Sequence, residues 1–131
     1  MYSFIYNFEK MISKDDVNWM RKLGYIEVLP IAFLRGVTLS DCIIIADECQ
    51  NASIDNMITL MTRIGENSKL ILLGDEQQID MKDKKSSSLK WLMTHFSGID
   101  EIGIHRFGED SVVRNPLIKT ILSVVNSIPK P

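Results

Sequence analysis

Cys42-Ile43-Ile44-Ile45-Ala46-Asp47-Glu48 decides how the rest of the chain is read. It is a short apolar run rich in β-branched residues that stops abruptly at two acids, the pattern of a strand buried on both faces of a parallel sheet. Downstream, Ile54, Met57, Ile58, Met61 and Ile64 recur at spacings of three and four, with Asn51 or Ser53 as N-cap and Gly65 as the stop, which predicts an amphipathic helix. A second apolar run, Lys69-Leu70-Ile71-Leu72-Leu73, closes at Gly74-Asp75. Strand, helix, strand is a βαβ unit with a right-handed crossover, so both strands end on the same edge of the sheet. Open α/β sheets place ligands at that edge.

Working outward, Ile26 to Leu29 reads as a strand ended by Pro30, residues 15 to 23 and 87 to 97 as helices, and Ile102 to Ile104 as a last strand. Asn115-Pro116 opens a helix whose apolar face is Leu117, Ile118, Ile121, Leu122 and Val125. Tyr2, Phe4, Tyr6 and Phe8 alternate as in a strand, either adding to a partner's sheet or packing on the domain's own edge. Trp19 and Trp91 are expected in the core, and the polar stretch Asp80 to Ser88 as an exposed loop. Strands alternating with helices predict an α/β fold with a mainly parallel sheet.

Composition agrees with one soluble domain. The chain has 131 residues, 45% of them hydrophobic and 24% charged, which excludes disordered and disulfide-scaffold classes. A net charge of -2 gives no global field to draw it onto nucleic acid. Lys82, Lys84 and Lys85 are interleaved with Asp80 and Asp83, so a solvated loop is preferred over an RNA contact. Cys42 and Cys49 fit no zinc or disulfide pattern and are expected as reduced thiols in a cytoplasmic protein, and His95 and His105 have no ligand-spaced partners. Neither a secretory signal nor a membrane span is expected.

The chemistry suggested by the sheet edge is nucleotide hydrolysis. After such a strand the first acid, Asp47, holds Mg²⁺ through water, and Glu48 orients or deprotonates the attacking water. Gln78, following the second strand, would hydrogen-bond the γ-phosphate or that water, and Asp75 would assist the metal shell.

The ordered strings Pro30-Ile-Ala-Phe-Leu-Arg-Gly-Val-Thr-Leu-Ser-Asp, Ile43-Ile-Ile-Ala-Asp-Glu-Cys-Gln-Asn, Thr62-Arg-Ile-Gly, Ser68-Lys, Gly74-Asp, Gln78-Ile-Asp and Asp110-Ser-Val-Val-Arg-Asn-Pro-Leu-Ile resemble the PhoH family. The resemblance covers about residues 20 to 122 in unbroken order. It implies a P-loop NTPase (RecA-like) domain, related in its core to superfamily 1 helicases, that binds ATP and Mg²⁺. Asp47 and Glu48 would be its Walker B pair and Gln78 its γ-phosphate sensor. Arg114 would be a phosphate-facing or finger arginine, Arg35 a phosphate or inter-subunit contact, and Arg63 a weaker candidate for the same work. The family's tendency to form rings implies a homo-oligomer, and PhoH-like genes occur in phages.

Two departures from the family stand out. No Gly-x-x-x-x-Gly-Lys-Ser/Thr occurs in these residues, so the backbone nest, the lysine and the hydroxyl that grip phosphate are lacking. Residues 1–131 therefore read as the C-terminal portion of the P-loop core, with 1–14 as an N-terminal extension. The phosphate loop is then expected from a Walker A-containing partner chain, with a non-catalytic partner of PhoH-like rings as the alternative. Four phosphate charges beside Asp47, Glu48 and Asp75 with no cation opposite would cost several kcal/mol in a shielded site, so the chain alone should bind ATP poorly. The second departure is Cys49, where the family usually carries Ala.

Overall fold

The computed structural model describes residues 2–76, 78–79, 87–108 and 116–128. It divides into two compact units, Met1–Phe96 and Ser97–Pro131. In the first, helices α1 (Tyr2–Met11) and α2 (Lys14–Lys22) pack on one another, followed by a 3-10 turn at Ile31–Phe33. Strand β1 (Ile43–Ala46), a second 3-10 turn at Cys49–Asn51, helix α3 (Ile54–Met61), strand β2 (Lys69–Leu72) and helix α4 (Ser88–His95) complete it. The second unit holds α5 (Pro116–Ser127), which starts at the expected proline. None of the described helices is long and apolar enough to cross a membrane.

The βαβ unit forms as the sequence predicts. β1 and β2 pair in parallel from Ile43 opposite Lys69 to Ala46 opposite Leu72. Ser53 caps α3 by accepting from the Asn56 N–H at 3.2 Å, and the helix ends at Met61. Gly65, expected as its stop, has a different task. Its N–H donates to the Leu39 carbonyl at 2.8 Å as residues 38–40 cross over it, and a Cβ there would meet the Ser40 hydroxyl and lie 2.8 Å from Thr38 Cγ2. Only a glycine permits that approach.

Leu34, Cys49, Met57, Leu60 and Leu92 form the core, with Ile44, Ala46, Leu70, Leu72 and Trp91 packed against it from its margins. Those strand residues share one face of the pair. The other face is open: Ile43 is 68% exposed, and Ile45 and Ile71 are also exposed. The expectation of strands buried on both faces thus holds on one side only, because α3 and α4 supply a single covering layer.

Several local expectations are corrected. Residues 26–29 form no strand, since Tyr25 and Ile26 both give their N–H groups to the Met20 carbonyl in closing α2. Residues 102–104 form none either; the Ile102 N–H is turned back to Ile99. The aromatic N-terminus is helix α1, where Phe4, Ile5 and Phe8 are half-buried and Lys10 lies 4.3 Å from the Tyr6 ring centre. Ile5 falls off the aromatic alternation but on the helical stripe. Trp19 is exposed and pairs with Tyr25 instead of entering the core. Ser87 and Ser88 are buried, not part of an exposed loop; Asp80, Lys82, Asp83, Lys84 and Lys85 lie outside the described residues.

Two outcomes follow for stability. Gly65→Ala should lower the unfolding free energy by about 1–3 kcal/mol, because backbone as well as side chain opposes the added methyl, read from denaturant midpoints. Burial, reinforced by the charges of Asp47 and Glu48 and opposed by a backbone hydrogen bond at Leu73, pushes the Cys49 thiol from 9.0 up to about 11. The folded state therefore holds that proton more tightly than the unfolded chain. The resulting stabilisation, of order 2 kcal/mol, is complete below about pH 9 and lost as pH rises through about 11. A Cys49→Ala variant should show a flatter alkaline limb than the parent in a pH series of thermal melts.

Candidate functional site

The parallel register carries both strand ends to one edge and continues past the strands, with Leu73 N–H to Ala46 O at 2.8 Å and Cys49 N–H to Leu73 O at 2.9 Å. Between them the chain turns sharply at Glu48, which adopts the left-handed conformation (φ 57°, ψ 33°) while its N–H donates to Asp47 Oδ1 at 3.0 Å. A non-glycine residue held there costs about 1 kcal/mol, and the turn starts the Cys49–Asn51 segment.

Gln50 sits at the centre of this edge. It is 1% exposed, yet its carboxamide is fully used. Nε2 donates to Glu48 Oε2 at 2.7 Å and to the Gln78 carbonyl at 3.3 Å, while Oε1 accepts from the Asp75 N–H at 3.1 Å. Gly74 makes room for it, since a Cβ at that position would stand 2.6 Å from Gln50 Oε1. From the other side, Ser87 Oγ donates to the Gln50 carbonyl and Ser88 Oγ to that of Cys49, each at 2.8 Å. These bonds satisfy the carbonyls of a buried turn that no strand can pair.

The residues singled out in the sequence are distributed as follows. Asp47, Glu48, Asp75 and Gln78 share the edge, and Gln78 Nε2 donates to Asp75 Oδ2 at 2.7 Å. That bond engages one oxygen of the Asp75 carboxylate, and no group of three or more His, Cys, Asp or Glu side chains among the described residues is arranged to hold a metal. The exposed, hard-oxygen carboxylate of Asp47 suits an ion such as Mg²⁺, which takes one or two protein carboxylates and completes its shell with water and phosphate. Arg35 lines a cavity of about 340 Å³ with Ile31, Ala32, Asn56 and Thr59. Arg63 donates to the Thr62 hydroxyl at 3.3 Å. Arg114 lies outside the described residues. His95 Nδ1 is 2.8 Å from the Trp91 carbonyl, within its own helix.

From the sequence, Gly74 reads only as the end of an apolar run, Ser87 and Ser88 as loop, and Gln50 has no role. A glutamine two residues after an acid and a serine run ahead of an apolar helix resemble loop and cap residues. Their burial depends on 25- to 39-residue separations that periodicity does not report.

Comparison with known proteins gives a consistent result. The PhoH-like protein family profile matches residues 1–126. A PhoH-like protein of Bacillus subtilis is 36% identical over 112 residues, covering 86% of this chain and 35% of its own length. One from Mycobacterium tuberculosis is 34% identical over 122 residues, covering 93% and 34%. Protein PhoH of Escherichia coli is 35% identical over 101 residues, covering 77% and 28%. The chain thus spans about a third of the length of these relatives. With a parallel β pair backed by helices and a match running from residue 1 to 126, it has the α/β architecture of a partial P-loop NTPase domain and belongs to the PhoH-like protein family.

Proposed function

We propose that residues 1–131 supply the acidic half of an ATP-hydrolysing site of PhoH type, the phosphate loop coming from a segment outside this sequence. The observation that carries this reading is the shared strand edge: two acids after β1 and an Asp–Gln pair after β2, joined through one buried carboxamide. P-loop NTPase chemistry in the family makes ATP and Mg²⁺ the ligands to consider.

On this reading Asp47 would hold Mg²⁺ and Glu48 would orient or deprotonate the attacking water. Gln78 changes partner from Asp75 to the γ-phosphate or the water, and Arg35 and Arg114 face phosphate or a neighbouring subunit. The metal, when bound, would offset phosphate charge. Three carboxylates on one edge repel a polyanion, so tight binding needs a lysine and backbone N–H groups from the phosphate loop.

The open sheet face supports assembly with a Walker A-containing chain or with further copies, since parallel strands are normally covered on both sides. The same face favours a second reading, a non-catalytic partner that joins full-length PhoH-like rings.

Calorimetric titration of the isolated chain with Mg-ATP should show no micromolar binding; finding it would mean that phosphate is gripped within these residues. Mixed with a phosphate-loop segment of a relative, the chain should release phosphate, and Glu48→Gln should reduce that rate by about 100-fold or more. An unchanged rate would remove Glu48 from the chemistry. Ile45→Lys should abolish association on size exclusion under either reading, whereas Glu48→Gln should leave association intact. Modulation of full-length rings that survives Glu48→Gln would select the non-catalytic reading.

A further inference from the structure

The proposed chemistry leaves Gln50 without a role, although its buried carboxamide makes three hydrogen bonds at the edge. Its carboxamide is used asymmetrically: the donor end faces the Glu48 carboxylate and the Gln78 carbonyl, and the acceptor end faces the Asp75 N–H. Only one amide orientation satisfies all three partners. A glutamate there would set carboxylate against carboxylate, and an apolar isostere would leave the Asp75 N–H and one Glu48 oxygen without this partner. Glu48 itself projects from a left-handed backbone position, so its carboxylate direction depends on what receives it. Gln50 is 1% exposed, the absence of a side chain at Gly74 leaves space for its Oε1, and the Ser87 hydroxyl holds its backbone carbonyl.

We infer that Gln50 is a positioning residue that sets the direction of the Glu48 carboxylate and ties it to the conformation of the Asp75–Gln78 segment. When Gln78 exchanges its bond with Asp75 for a phosphate or water, the backbone that holds both ends of the Gln50 amide shifts, and Glu48 is re-aimed. The sensor and the water-directing acid then act as one unit. This rests on the proposed role of Glu48, but the coupling is a property of the chain itself and can be measured without ATP.

In the ¹⁵N-labelled 131-residue chain, Glu48→Gln should move both the Gln50 side-chain amide resonances and the Asp75 backbone amide. Perturbation that stops at residue 50 overturns the coupling. In Gln50→Met, hydrogen exchange at the Asp75 amide should accelerate by about tenfold while the amides of Met57 and Leu60 keep their rates; equal acceleration in the core would mean that Gln50 only fills space. In the assembly with a phosphate-loop segment, Gln50→Met should lower kcat by about 10- to 100-fold and leave KM for ATP within about twofold. An unchanged kcat overturns the positioning role. Absence of ATPase in the parent assembly would count against the proposed function, and the resonance and exchange arms would then decide the coupling on their own.

Discussion

The parallel register of β1 with β2 is the constraint on which the site depends. With Ile43 opposite Lys69, the strands leave the sheet together, and the bonds through Leu73 and Cys49 carry the pairing past the last strand residue. A one-residue slip would put the opposite faces of the strands on the core and would separate Asp47 and Glu48 from Gly74 and Asp75. The turn at Glu48 is tolerated because its neighbours on both sides are fixed. Cys49 is locked to β2, and the carbonyls of Cys49 and Gln50 are taken by hydroxyls at the start of α4. The acids are thus presented by a rigid framework whose strained position is over-determined by its surroundings.

That framework also shapes the electrostatics. Asp47, Glu48 and Asp75 are gathered at one edge, and the hydrogen bonds there divide them. Asp75 is drawn to Gln78 and Glu48 to Gln50, each through a neutral amide donor. A neutral donor holds a carboxylate in place without cancelling its charge. Glu48 Oε2 and Asp75 Oδ2 are each given a defined direction by these bonds.

Much of this was legible in the sequence where a local pattern has a local cause. The Ile43–Ala46 and Lys69–Leu72 runs, the helical spacing of Met57 and Met61, and Pro116 as a helix start all report short-range preferences, and those elements form. The acid pair was legible because it breaks an apolar run. The N-terminal aromatics show the limit: the alternation of Tyr2 to Phe8 had strand period, but a helix stripe through Phe4, Ile5 and Phe8 buries more together. Residues 26–29 failed for lack of a pairing partner, because the end of α2 consumes the first N–H groups. Gln50 and the Ser87–Ser88 pair were illegible because their identity is set by atoms far along the chain.

The open sheet face lies on the same strands as the site. Ile43, Ile45 and Ile71 lie on the same strands that carry the acids and Gly74, and all three remain exposed. Burying an exposed isoleucine is worth up to about 2 kcal/mol, so a layer covering this face would add stability comparable to a large part of a small domain's margin. A partner that binds only the paired strands stabilises them by mass action. Local opening of the β1–β2 pair would then be suppressed, and with it any slackening of the Cys49–Leu73 bond and the Gln50 amide. A layer laid on that face would therefore also tighten the carboxylate geometry at the edge, without touching a single acid.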